Sequence, residues 1–125
     1  MELKQGQVFV WSRTFSKEEV FQFAELTGDQ GVHHMERNKD GKVMVQGLLT
    51  ASLGTKIGGD LNYIAKTMDS VYLRPVFSGD TIECELTLTK VKQKDDYKEV
   101  EFESVYRNQE SKEVLKGYSK GIIRE

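Results

Sequence analysis

The chain has 125 residues, 38% of them hydrophobic and 30% charged, and its 18 basic and 20 acidic side chains leave a net charge of −2. That is one domain's worth of polypeptide, residues 1–125, and without a basic block nucleic acid is excluded as an expected partner. A single cysteine, Cys84, cannot close an intrachain disulfide, and MELKQGQVFVWSR lacks the apolar core of a signal peptide, so the expected location is cytoplasmic.

Gln7 to Phe15 is rich in Val, Phe and Trp and predicts a short strand with Phe9 and Trp11 on one face. Ser16-Lys17-Glu18-Glu19 fits a capping box, in which the serine hydroxyl and the glutamate carboxylate satisfy two orphan backbone donors. Val20, Phe23, Ala24 and Thr27 follow at helical spacing, and Gly28 suits the left-handed position that ends a helix, so the first helix should span Lys17 to Thr27. From Asp29 to Lys42 the charges crowd and no period is visible, which predicts a loop with a turn at Asp40-Gly41.

The run VMVQGLLTASLGTKI, Val43 to Ile57, is almost uncharged. It predicts a helix from about Val45 to Ile57, closed by Gly58-Gly59 and buried on nearly every side. The run is too short to span a bilayer and is broken by Gly47, Gly54 and Lys56, so no membrane role is expected. Strands are expected over Met68 to Val76, Thr81 to Val91, Lys98 to Arg107 and Val114 to Ile123. Lys94-Asp95-Asp96 and Asn108 to Lys112 suit hairpin turns, and Pro75 suits an edge or a bulge. Helices early and strands late predict an α+β domain, an antiparallel sheet curled round a central helix. In the last strand Gly117, Ser119 and Gly121 share one face, where small side chains would let the helix approach.

The loop that carries Asp29, His33 and His34 leads into the mouth of that helix. A carboxylate and an imidazole delivered to a buried helix suggest acid/base chemistry. Plainer readings stand beside this one. Asp29 could be only a turn residue. His33-His34 could be half of a metal site, but there is no further His, and the single Cys, Cys84, is read as core. Adjacent residues point apart, which makes His33 a bystander, and Cys84 belongs to the apolar face of its strand.

These residues carry a resemblance. Thr27-Gly28-Asp29, His34 five residues after the aspartate, and Gly47-Leu48-Leu49 with Ala51-Ser52-Leu53 are similar to the MaoC-like (R)-specific enoyl-CoA hydratases and dehydratases of the hot-dog fold. Val71-Tyr72-Leu73-Arg74-Pro75-Val76 and Gly79-Asp80-Thr81 resemble that family's strand and following turn, and the likeness covers most of the chain. The chain departs from the pattern where Gly31-Val32 replaces Asn-Pro, where Gln46 replaces His, and where the loop between His34 and Gln46 is shorter.

The resemblance implies hydration or dehydration of 2-enoyl and (R)-3-hydroxyacyl thioesters, with His34 as base on a water, Asp29 passing a proton to the α-carbon, and the Gly47 N–H meeting the enolate oxygen. Gln46, Gly31 and Leu48 are expected along the substrate. No metal or prosthetic group is implied, because coenzyme A or an acyl carrier protein arm is part of the substrate. The same fold also serves acyl-CoA thioesterases, and a non-catalytic acyl-thioester-binding module is the third reading. A homodimer or a dimer of dimers is expected from pairing at an open sheet edge.

Overall fold

The computed structural model describes residues 2–124. Strand β1, Val8–Thr14, leads into α1, Lys17–Thr27, whose bounds are those read from the sequence. The capping box is present: the Glu19 N–H donates to the Ser16 hydroxyl at 3.2 Å, and the Ser16 N–H donates to the Glu19 carboxylate at 3.0 Å. Gly28 closes the helix at φ 81°, a conformation that a side chain would strain.

The segment expected to be all loop contains one helical turn, α2, Val32–Met35. The central helix begins at Gly47, two residues later than expected, and runs in two segments, α3 (Gly47–Ala51) and α4 (Leu53–Asp60). Val43 and Val45 are buried but extended, because their backbone pairs with the segment after Pro75: Val45 N–H donates to Val76 O at 2.7 Å and Ser78 N–H to Val43 O at 2.9 Å. At the join between α3 and α4 the Ser52 hydroxyl turns back onto the Leu49 carbonyl, a local bond that competes with the helical ladder.

The sheet follows as β2 (Tyr63–Tyr72), β3 (Thr81–Gln93), β4 (Tyr97–Arg107) and β5 (Glu113–Arg124), antiparallel throughout in the order β1-β3-β4-β5-β2. Helix α4 touches both β1 and β2, the two opposite edges, so the sheet curls round it. This is the α+β arrangement that was expected. Ile82, Cys84, Leu86 and Leu88 of β3 and Val100, Phe102 and Tyr106 of β4 face the helix and are buried. Leu53 and Ile57 meet them from α4, and truncating Leu53 to alanine should cost about 2–5 kcal/mol.

Three further expectations change. β2 starts at Tyr63 instead of Met68 and ends at Tyr72 instead of Val76; every residue of it but Tyr63 is exposed, so neither face is covered well enough to show the alternation that marks the inner strands. The central helix is not buried on nearly every side, since Leu48, Thr55, Lys56 and Asp60 are exposed. The small residues of β5 make room for neighbouring strands, not for the helix. A Cβ on Gly121 would lie 2.1 Å from Ile64 O, beside the β2 bulge between Ala65 and Thr67, and one on Gly117 would lie 2.4 Å from the Ser104 hydroxyl. Among the described residues no helix is long and apolar enough to cross a membrane.

Candidate active site

Helix α1 ends in Thr27-Gly28, and the chain turns at once. The Thr27 hydroxyl donates back to Phe23 O at 2.8 Å and accepts the Asp29 N–H at 3.2 Å. Asp29 Oδ1 accepts the Gly31 N–H at 3.3 Å, the local turn that a bare aspartate forms. That bond occupies only one carboxylate oxygen. The other, Oδ2, faces His34 Nε2 at 3.6 Å.

His34 is supplied by α2 and is buried, whereas the Asp29 carboxylate is half exposed. On its far side His34 Nδ1 lies 2.7 Å from Met44 O. A carbonyl oxygen only accepts, so Nδ1 carries the hydrogen, and in the neutral ring Nε2 is left with a lone pair directed toward Asp29. The 3.6 Å gap is too long for a direct hydrogen bond and leaves both atoms open to a shared water placed to one side of the pair. One residue's position thus rests on two segments: α2 presents the ring, and the extended Val43–Val45 stretch fixes its tautomer.

His33 does not point away from His34 as expected. In a helical turn the two rings meet, with centroids 3.8 Å apart and planes tilted by 52°. Both line a cavity of about 450 Å³ together with Gly47, Thr50, Tyr72, Arg74 and Val114. The cavity therefore brings together His34 and the first residue of α3, whose N–H has no acceptor within its own helix. The Tyr72 ring lies close over Gly47: a Cβ there would come within 2.7 Å of it, so a larger residue would have to displace the ring.

The three residues expected along the substrate do not line this cavity. Gln46 is 1% exposed, and its side-chain amide donates to Val20 O at 3.0 Å, tying the start of α3 to α1. Leu48 is 70% exposed on the outer face of α3. Gly31 stands under His33, where a Cβ would meet the imidazole at 2.9 Å. In their place the cavity takes Thr50, Tyr72 and Arg74, of which the last two come from the end of the edge strand and the segment after it. Thr50 could have been found one helical turn after Gly47, while Tyr72 and Arg74 give no local signal and are placed by sheet register.

Among the described residues two buried polar atoms stand without a hydrogen-bond partner, Gln46 Oε1 and Thr50 Oγ1. Deeper in the core, burial raises the Cys84 thiol to about 11, opposed in part by its hydrogen bond with Tyr106. Burial likewise pushes the Tyr106 phenol upward, and its hydroxyl donates to Ala51 O at 2.8 Å. Cys84 is core, as its strand position suggested.

No family model and no curated protein sequence matches this chain. Solved structures do. The R-hydratase PhaJ1 of Pseudomonas aeruginosa superimposes with a TM-score of 0.87 over 99% of this chain and 84% of its own, at 21% identity. The (R)-hydratase of A. caviae involved in PHA biosynthesis gives 0.84 over 98% of both chains at 23% identity. A MaoC-like dehydratase from Rhodospirillum rubrum gives 0.79 over 98% of this chain and 94% of its own, at 17% identity. The chain has the hot-dog fold of these hydratases and dehydratases.

Proposed function

We propose that this chain is a MaoC-like hydratase or dehydratase acting on 2-enoyl and (R)-3-hydroxyacyl thioesters of coenzyme A or an acyl carrier protein. One observation carries the reading: His34, its Nδ1 hydrogen held by Met44 O, turns Nε2 toward Asp29 Oδ2 and lines a cavity that also reaches Gly47, with Asp29 itself outside the cavity lining. The structural neighbours that are (R)-hydratases support the same class of reaction.

In the hydration direction His34 Nε2 takes a proton from a water held between it and Asp29, and the water oxygen adds to the β-carbon. Asp29 relays the proton that His34 has taken on to the α-carbon, so that both side chains return to their starting state and the net change is addition of one water. Negative charge on the thioester oxygen during the addition meets the Gly47 N–H, a preorganised donor of the kind that lowers such barriers. These steps draw only on a proton acceptor, a proton donor and water, and the coenzyme A or carrier arm enters as part of the substrate.

The test follows two signals on crotonyl-CoA and longer 2-enoyl thioesters: absorbance of the conjugated enoyl thioester and release of free thiol. Loss of absorbance without thiol supports hydration. Thiol release as the main product would assign a thioesterase, and neither signal with retained binding would assign a non-catalytic module.

A further inference from the structure

Two cavities lie back to back along the central helix. The site cavity is bounded at this end by Thr50, Tyr72 and Val114. Beyond it about 270 Å³ of space lies between Gly54 and Gly58 of α4 and the sheet, and the two cavities have no lining residue in common.

Strand register accounts for both the second space and what divides it from the first. Ser104, Gly117 and Ser70 stand in one row across β4, β5 and β2, and all three line the second cavity. Three small side chains opposite two helix glycines leave the gap. One step nearer the site the row reads Tyr106, Leu115 and Tyr72, three large side chains that close the sheet against the helix. Two of the three are fixed: Leu115 is buried, and Tyr106 is buried with its hydroxyl on Ala51 O. Tyr72 is different. It sits on the edge strand, is 49% exposed, and lays its ring over Gly47, where the thioester carbonyl is placed in the reading above.

We infer that Tyr72 is a specificity-determining residue that blocks the path from the site into the second cavity and restricts this chain to short acyl groups. The inference rests on the thioester reading. An acyl chain whose carbonyl lies at Gly47 meets the Tyr72 ring before it can reach Ser70, Ser104 and Gly117. The space behind is adequate for a longer chain, being nearly twice the ~150 Å³ that holds a benzene ring. The ring, not the volume of the fold, sets the limit.

The experiment compares kcat/KM for hydration of crotonyl and 2-octenoyl thioesters in the parent and three variants, with melting curves to confirm folding. The parent should favour crotonyl by about tenfold or more, the scale on which a closed apolar pocket discriminates chain length. Tyr72→Ala should raise the octenoyl-to-crotonyl ratio by about tenfold or more, and Tyr72→Phe, which keeps the ring, should leave the ratio within about twofold. Adding Ser70→Leu to Tyr72→Ala should refill the trough and return the ratio toward the parent's. Crotonyl hydration with an unchanged ratio in Tyr72→Ala overturns the inference while leaving the hydratase reading standing, as does a parent that hydrates both thioesters equally well. A parent that hydrates neither removes the reading and this inference with it.

Discussion

His34 Nε2 faces Asp29 Oδ2 at 3.6 Å while His34 Nδ1 is held 2.7 Å from Met44 O. The two contacts divide the imidazole's work: one nitrogen is committed to the backbone, and the other is left for chemistry. Asp29 is divided in the same way, with Oδ1 on the Gly31 N–H and Oδ2 toward the ring. The turn-forming role of Asp29 and the catalytic role proposed for it therefore do not compete, since each uses its own oxygen.

Thr50 tests the energetics of the cavity wall. Its hydroxyl is buried without a partner, and a buried hydroxyl left unsatisfied costs about 1–3 kcal/mol. Thr50→Val keeps the shape and removes that group, so urea unfolding should show a variant as stable as the parent or up to about 1 kcal/mol more stable. A clear loss of stability would mean that the hydroxyl is satisfied in solution.

Alkaline stability should be set by the Cys84–Tyr106 pair. An unfolded thiol ionises near ~8.5, whereas folded Cys84 keeps its proton to about 11. The folded state therefore binds more protons in this window, and its advantage, complete below the unfolded value, is lost as pH rises toward the folded one. Tyr106, also raised, acts with the same sign further up. Urea midpoints should fall steadily above pH ~8.5, and more gently in Cys84→Ala, whose starting stability is lower. An equal slope in the two proteins would assign the decline elsewhere.

The open edge at β2 predicts association. Ile64, Met68 and Val71 are all large, apolar and exposed along this one strand, a surface that a lone edge strand seldom leaves uncovered. Sedimentation at micromolar concentration should give a dimer, and Val71→Lys should shift it toward monomer. A monomeric parent would contradict the pairing.

Much of this molecule could be read locally. Ser16, Glu19 and Gly28 give the bounds of α1 because capping depends on neighbours in sequence, and β3 and β4 declare themselves because one face of each is covered. What could not be read depends on distant partners. Val43 and Val45 look helical by composition and are extended because Val76 and Ser78 pair with them. β2 shows no alternation because neither of its faces is well covered, and Gln46, polar and next to Gly47, turns inward to Val20 O instead of toward the cavity. Asp29 and His34 were singled out by a spacing that resembles a family's, and the structure sets their side chains 3.6 Å apart, whereas Tyr72 reaches the cavity only through its register with Leu115 and Tyr106.

The most direct test of the account is a double-mutant cycle on hydration of crotonyl-CoA, using Asp29→Asn and His34→Gln. Each single change should lower turnover by roughly 10²–10⁴-fold, the range supplied by general acid/base groups, with little change in melting temperature. Because both residues hold one water, the double variant should be scarcely slower than the poorer single one. Losses that multiply would mean that the two side chains act separately, and hydration persisting in both single variants would contradict the Asp29/His34 mechanism outright.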